Sequence, residues 1–89
     1  MSSHRFVVNV MPKPGILDPQ GHAVEQSLPH LDVSGVSEVR VGRRVELTVE
    51  APDIVAARAL VERLAAEVFA NPIIEIWEVA PASLVAVAG

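Results

Sequence analysis

The pattern of apolar and polar positions divides the chain into six segments, and the first is rich in β-branched residues. Residues 6–11 read FVVNVM, with Asn9 as the one polar break, and Pro12 follows directly. Runs of this length and composition are typical of strands, and consecutive apolar positions fit a strand buried on both faces. We therefore predict a central strand that ends at Pro12.

The second segment has the spacing of a helix. Asp18 can accept hydrogen bonds from the free N–H groups of a first helical turn, and Pro19 is tolerated in that turn. Gly21 costs helix stability, so we expect it where the helix start meets another backbone and needs a small residue. Pro29 should distort or end the helix. One apolar stripe follows from the helical spacing: Val24, Leu28 and Leu31.

The third and fourth segments alternate, which indicates two strands of a hairpin. Their apolar residues all sit at odd-numbered positions, whereas the even positions are polar. A two-residue loop at Gly42 and Arg43 would mix valines and charges on one face, but a three-residue loop over residues 42–44 keeps one face apolar. We therefore expect the three-residue loop, with Gly42 free to adopt positive φ. The apolar positions are Val39, Val41, Val45, Leu47 and Val49.

The last two segments are a helix and a strand. Pro52 and Asp53 predict a helix start, and Asn71-Pro72 predicts its end after about Ala70. Residues 73–80 then read IIEIWEVA, typical of a strand. The residues expected on the buried face of the helix are Ala57, Leu60, Val61, Leu64 and Val68.

The element order is therefore β-α-β-β-α-β, the ferredoxin-like arrangement. It predicts an α+β two-layer sandwich, with a four-stranded antiparallel sheet and both helices on one face. Residues 1–80 form this domain. Residues 81–89 are a small apolar tail that is either disordered or paired with a neighbouring chain. Because the first and last strands are apolar on both faces, we expect another subunit to cover part of the outer sheet face.

Composition narrows the classes of function. Hydrophobic residues make up 51% of the 89 residues, and cysteine is absent, so buried area from oligomerisation is the expected extra source of stability. The net charge of −4 argues against binding to nucleic acid or to an anionic membrane. No segment resembles a signal peptide or reaches the length of a membrane span. We expect a cytoplasmic protein.

Candidate chemistry is sparse. No serine lies in a nucleophile elbow, phosphate-loop motifs are absent, and the three histidines lack ligand spacing. His22 and His30 fit solvated helix positions. Trp77, on a strand, fits packing better than base stacking. We predict no catalytic, cofactor-binding or metal-binding residues in this chain. The basic cluster at the hairpin tip is either a solvated turn or a docking loop: Arg40, Arg43 and Arg44.

Three ordered motifs resemble one family, the PurS-type small subunit of phosphoribosylformylglycinamidine synthase. The first is Leu-Asp-Pro-Gln-Gly at residues 17–21, and the second is Val-Arg-Val-Gly at residues 39–42, with Arg43 where the family usually has lysine. The third is Ala-Asn-Pro at residues 70–72, followed by Ile74 and Glu75. The similarity runs over about residues 6–79. The chain departs from the family pattern at Pro29, Ile76 and Trp77.

The resemblance implies a function in purine synthesis. The family's enzyme converts formylglycinamide ribonucleotide, glutamine and ATP into formylglycinamidine ribonucleotide, glutamate, ADP and phosphate. The small subunit would be a non-catalytic assembly subunit, a homodimer or dimer of dimers that bridges the glutaminase and synthetase subunits and aids ammonia transfer. ATP and Mg²⁺ would bind the synthetase. The structural or interface positions implied are Asp18, Pro19, Gln20, Gly21, Arg40, Gly42, Arg43, Asn71 and Pro72, to which we add Trp77.

Two other functions share this predicted topology. A small-molecule-sensing regulatory domain would bind an amino acid at a dimer interface near residues 12–21. An RNA-binding domain would use its sheet face, but the acidic charge and the scarcity of strand aromatics oppose it.

Overall fold

The computed structural model describes residues 1–82, which form three strands and two helices. The central strand of the sheet, β1, begins near the N-terminus and is followed by the shorter helix. In chain order the elements are β1 (Ser2–Pro12), α1 (Pro19–Ser27) with a 3-10 turn (Leu28–Leu31), β2 (Arg43–Ala51), α2 (Ile54–Leu64) with a π-helical turn (Ala65–Phe69), and β3 (Glu75–Pro81).

The sheet is antiparallel with the order β2-β1-β3. Phe6 lies opposite Leu47 of β2 and opposite Pro81 of β3, so β1 is paired along both edges. Its consecutive apolar residues suit this central position, and Phe6, Val7, Val8 and Val10 are fully buried. The prediction of a central first strand is confirmed.

The prediction of a four-stranded sheet is wrong. Residues 36–42 form no strand, and β2 begins at Arg43, inside the loop that we expected over residues 42–44. Glu38 has a left-handed backbone (φ 56°), which interrupts the strand pattern. The N–H of Val41 donates to the Asp18 carboxylate instead of to a neighbouring strand. The apolar and polar residues do alternate here, but the backbone N–H of Val41 binds a side chain and not a neighbouring strand.

Helix α2 covers one face of the sheet and forms the core with it. Ala57, Val61 and Ala65 of the helix are buried against β1, β2 and β3. Asp53 caps the helix through a 2.8 Å bond from the N–H of Ala56, as the sequence predicts. The apolar face continues every fourth residue to Phe69, which packs against the core.

Three of the five residues predicted on the buried face of α2 lie outside the core, and one of them, Leu64, is half-buried. Leu60 is 40% exposed and Val68 is 67% exposed. The π-helical turn explains Val68, because a wider turn moves the apolar face one position on, to Phe69. The register of the buried face is therefore 57, 61, 65 and 69.

Helix α1 contributes little to the core. It ends at Ser27, and a 3-10 turn carries the chain through Pro29, so the predicted distortion there is confirmed. The predicted apolar stripe is not buried, since Val24 is 41% exposed and Leu31 is 69% exposed. Within α1 only Gly21 is buried. The helix is attached at its first turn and leaves an apolar stripe in contact with solvent.

No helix among residues 1–82 is long and apolar enough to cross a membrane. The tail predicted over residues 81–89 lies outside the described residues from residue 83 onward.

Candidate functional site

The carboxylate of Asp18 joins two distant parts of the chain. Its Oδ1 accepts the N–H of Gly21 at 3.0 Å, which caps α1, and its Oδ2 accepts the N–H of Val41 at 2.7 Å. The Arg40 guanidinium Nε is 3.9 Å from Oδ2. Only 9% of the Asp18 side chain is exposed. The predicted cap is confirmed, and its second bond holds residues 39–41 against the start of α1.

The electrostatic surroundings of Asp18 favour its charged form. The hydrogen bonds from Gly21 and Val41, and more weakly the charge of Arg40, hold the pKa of this carboxyl below its usual value. A permanent negative charge here is compatible with a cap and with an ion pair. It would also repel a phosphate at the helix start.

Gly21 lies where no side chain fits. A Cβ at this position would collide with the carbonyl oxygen of Val39 and would approach Asp18 Oδ2 at 2.7 Å. This is the close backbone approach that the sequence predicts for Gly21. The contact and the two Asp18 bonds act on the same junction between residues 18–21 and 39–41.

Arg40 also stabilises this junction, because its guanidinium is hydrogen-bonded within the chain. Its Nη2 donates to the carbonyl oxygens of Pro12 and Lys13, both at 2.8 Å. These are the last residue of β1 and the one after it, so Arg40 fixes the chain where it leaves the sheet. The interpretation of Arg40 as a solvated turn residue is wrong, because no hairpin forms here.

Gly42 is small for a different reason from the one predicted. It does not have positive φ; among the described glycines only Gly15 and Gly35 do. A Cβ on Gly42 would instead collide with the carbonyl oxygen of Val10 and with Sδ of Met11. The residue thus lets the chain pass close to β1 before β2 begins.

Arg43 and Glu75 form a second junction. Arg43 Nη1 and Nη2 donate to the two Glu75 oxygens at 2.7 and 2.8 Å, and Nη2 also contacts the carbonyl oxygen of Phe69. The N–H of Asn71 donates to Glu75 Oε1 at 2.8 Å. This bidentate arrangement ties the start of β2 to the turn between α2 and β3.

The partners of Glu75 lower the pKa of its carboxyl to about 2, chiefly through Arg43 and secondly through Asn71. Sequence reasoning identified Arg43 and Asn71 but gave Glu75 no role beyond its place in the family motif. Arg43 and Glu75 stand on strands separated by β1, so no local spacing could link them. Only the strand order brings the two charges together.

Asn71 and Pro72 form the turn that ends the helix, as predicted. Asn71 Oδ1 accepts the N–H of Ile73 at 3.1 Å, and its carbonyl oxygen accepts the N–H groups of Ile74 and Glu75. This Asx turn satisfies the backbone as the chain reverses into β3. Ile73 is consequently left 79% exposed at the turn.

All the predicted site residues except Trp77 therefore lie at one end of the sheet. Trp77 packs against the core, and its Nε1 donates to Glu62 Oε2 at 3.3 Å, which confirms a packing role. Gln20 and Pro19 line a surface cleft of about 490 Å³ between the two junctions. Its apolar lining includes Ile16, Leu17 and Ile74.

The side chains at this end of the sheet are arranged to contact another molecule. Leu17 is 77% exposed beside the buried Asp18 carboxylate, and Ile73 is equally exposed beyond Asn71. The Asp18 and Glu75 carboxylates are both engaged by backbone N–H groups and arginine. Residues 1–82 contain no group of three or more histidines and acidic residues placed to hold a metal ion. Exposed apolar side chains are thus carried by loops that polar contacts hold in place, and this arrangement is found at docking surfaces.

Known proteins are similar to this chain in sequence and in fold. The sequence model of the PurS family, phosphoribosylformylglycinamidine (FGAM) synthase, matches residues 5–82. The chain is 41% identical over 75 residues to the PurS subunit of this synthase from Mycobacterium leprae, covering 84% of this chain and 91% of that one. It is 40% identical over 73 residues to the Synechocystis PurS subunit, covering 82% and 73% of the two chains.

Solved structures give the same result. A chain in the structure of PurLQS from Thermotoga maritima superposes with a TM-score of 0.81 at 28% identity, covering 91% of this chain and 99% of that chain. PurS of Bacillus subtilis superposes with a TM-score of 0.76 at 33% identity, covering 86% and 95%. This chain belongs to the PurS family of phosphoribosylformylglycinamidine synthase subunits.

Proposed function

We propose that this chain is the non-catalytic assembly subunit of phosphoribosylformylglycinamidine synthase, and that it docks through the Asp18 end of its sheet. The enzyme is a glutamine-dependent ligase of purine biosynthesis. The subunit would bridge the glutaminase and the synthetase, so that ammonia released by one reaches the other without loss to water. We further propose that it works in the cytoplasm.

The proposal rests on one observation: the carboxylates at the site are already hydrogen-bonded within the chain. Asp18 and Glu75 accept hydrogen bonds from the backbone N–H groups of Gly21, Val41 and Asn71, so both carboxylates hold loops in place. A general acid or base would need a carboxyl open to substrate and a pKa near neutral, whereas both of these are lowered. The exposed residues at this end include the apolar Leu17 and Ile73, which suits a protein partner.

The similarity to known structures supports the two partners that we propose for this chain. The Thermotoga maritima structure is that of PurLQS, so a chain of this fold occurs there together with PurL and PurQ. We infer the corresponding two partners for this chain. ATP would be used by the synthetase subunit with Mg²⁺, and this chain would bind neither.

The sensing-domain alternative has less support. Its amino acid would bind near residues 12–21, where ligand recognition would need free polar groups. The carbonyl oxygens of Pro12 and Lys13 are taken by Arg40, and the Asp18 carboxylate is taken by Gly21 and Val41.

Reconstitution with the other two subunits tests the proposal. We expect the chain alone to be inactive, and glutamine-dependent turnover to require it. Ammonia-dependent turnover by the synthetase should require it less. Unchanged glutamine-dependent turnover without the chain would refute the bridging function.

A matched pair of substitutions tests where docking occurs. Leu17→Asp places a charge on a residue 77% exposed at the Asp18 end, and Val55→Asp does the same on a residue 75% exposed on α2. We expect Leu17→Asp to weaken complex formation and glutamine-dependent turnover at least tenfold, and Val55→Asp to leave both within about twofold, because only the first charge would be buried without a partner. The reverse result would move the docking surface to α2.

A further inference from the structure

Helix α1, the 3-10 turn and the loop that follows them contribute almost nothing to the core. Within residues 14–39 only Gly21 is buried. Between residues 24 and 36 the segment nevertheless keeps five large apolar side chains, of which Leu28 is half-buried and the others are exposed. These residues are Val24, Leu28, Leu31, Val33 and Val36. Exposed apolar residues that lie together mark a surface that binds another molecule.

Three of these residues line one cleft of about 480 Å³, which we call the α1 cleft. The lining consists of Leu28, Val33 and Val36 together with Glu25, Pro29 and Asp32. The N–H of Val33 donates to the carbonyl oxygen of Leu28 at 3.1 Å. The N–H of Asp32 donates to the carbonyl oxygen of Pro29 at the same distance. These backbone bonds hold the turn and the loop together, so the cleft has a defined shape.

The net charge of the chain is concentrated on the same segment. Residues 14–39 contain four acidic residues and no lysine or arginine. The other seven acidic residues of the chain are balanced by all seven lysines and arginines, so this segment provides the whole net charge of −4. A surface of one sign attracts partners of the opposite sign and speeds their association. The segment therefore favours a basic partner.

The two carboxylates of the α1 cleft differ from those at the Asp18 end. Asp18 and Glu75 are each close to an arginine of the same chain. Glu25 and Asp32 form no ion pair within residues 1–82. A protein that covered the apolar lining would remove water from these two carboxylates, which is costly unless cations replace it. The occupant must therefore bring lysine or arginine together with its apolar side chains.

A subunit that bridges two proteins needs two docking surfaces, and the Asp18 end supplies one. We propose that the α1 cleft is the second, and that it binds an apolar segment flanked by lysine or arginine from the partner subunit that does not bind the Asp18 end. This inference rests on the proposed function and deepens it. It assigns the two partners to surfaces of different chemistry, one apolar and one acidic.

The two surfaces adjoin, as transfer between the partners requires. Glu25 lines the α1 cleft and also a neighbouring cleft that contains Leu17 and Asp18. Proteins docked at both places would lie close to each other. A short path between them would limit the loss of ammonia to water.

Substitutions in the complete three-subunit mixture test this assignment. Val36→Lys places a cation in the α1 cleft, and Val55→Lys places one on α2 as the matched control. We expect Val36→Lys to weaken the binding of one partner about tenfold, because a buried lysine would face the cations of the occupant. Leu17→Asp should weaken the binding of the other partner. Val55→Lys should release neither. Gel filtration shows which partner still elutes with the chain.

The charge of the occupant is tested by Asp32→Asn. Asp32 has a left-handed backbone (φ 57°), which asparagine also tolerates, so this variant keeps the shape of the loop. We expect it to weaken the binding of the same partner as Val36→Lys by about threefold at low salt, and much less at 0.5 M salt, where exposed charges are screened. Glu78→Gln, at an exposed position on β3, should have no effect at either salt concentration.

Four results would overturn the proposal. Unchanged binding of both partners by Val36→Lys would show that the α1 cleft is not a docking surface. Release of the same partner by Val36→Lys and Leu17→Asp would mean a single surface. An effect of Asp32→Asn that does not depend on salt would contradict a basic occupant. A lower mass of the isolated chain with Val36→Lys would assign the cleft to a second copy. None of these results would change the requirement for the chain in glutamine-dependent turnover, which tests bridging separately.

Discussion

The face of the sheet under α2 and the end of the sheet around Asp18 are held together in different ways. Under α2 the contacts are apolar, with Phe6, Val8 and Val61 fully buried. Around Asp18 the contacts are directional hydrogen bonds, in which the carboxylate accepts backbone N–H groups and the Arg40 guanidinium donates to backbone carbonyl oxygens. The first region gains stability from buried area, and the second gains a defined loop conformation.

This difference explains how a small domain can expose apolar residues. At the Asp18 end the loops are fixed by polar contacts, so Leu17 and Ile73 are not needed inside and stay exposed. Under α2 nearly every apolar side chain facing the sheet is consumed by the core. Apolar residues can therefore stay exposed for docking at the end of the sheet where hydrogen bonds and ion pairs, and not apolar burial, hold the chain.

The largest effect should come from the apolar region. Phe6→Ala should lower the free energy of unfolding by about 3–5 kcal/mol, because it removes a fully buried aromatic side chain from the central strand. Urea denaturation of both variants measures this, with Val55→Ala as the control at a position 75% exposed on α2. The control should change the free energy by less than about 0.5 kcal/mol. A loss below about 1 kcal/mol for Phe6→Ala would contradict the division between the two regions.

The sequence predicts the apolar region better than the polar one. The consecutive apolar residues of β1 and the cap at Asp53 locate the central strand and the start of α2, because both signals are local. Alternation over residues 38–41 was equally clear, yet no strand forms. Hydrophobic alternation reports which side chains could share a face, but it does not report where the backbone N–H groups find acceptors.

The candidate site shows the same limit. Motif positions such as Asp18 and Gly21 could be assigned cap and close-contact roles from local rules. The bond from Val41 to Asp18 spans 23 residues, and the pair of Arg43 with Glu75 spans 32. Such contacts depend on which strands form and how they pair, and one predicted strand, over residues 38–41, does not form.

A comparison of the two helix caps should give an intermediate effect. Asp18 and Asp53 each accept one N–H in the first turn of a helix, but Asp18 alone also holds Val41. Asp18→Ala should therefore speed hydrogen exchange at the Val41 amide by about tenfold or more, whereas Asp53→Ala should leave it unchanged. Both should speed exchange in their own first turns. Equal protection of Val41 in the two variants would show that Asp18 does not fix the junction.

The smallest effect should be the pH dependence supplied by Glu75. Its folded pKa of about 2 lies below the ordinary value of 4.5, because Arg43 and the N–H of Asn71 favour the charged form. A lowered folded pKa stabilises the fold fully above about pH 4.5, and this contribution is lost as the pH falls towards 2. Arg43 is 51% exposed, so the contribution is screened and modest. The urea midpoint of wild type should thus exceed that of Glu75→Gln near neutral pH, and the gap should narrow between pH 4.5 and 2.

Asp18 titrates over part of the same range, but it is present in both variants, so the gap isolates Glu75. Glu78→Gln, at an exposed position three residues along β3, should show no such narrowing. Added salt should reduce the gap at neutral pH, since the pair is partly exposed. A gap that stayed constant down to pH 2 would mean that Glu75 holds its turn by shape and not by charge. The Asp18 end would then resemble the core more than its hydrogen bonds suggest.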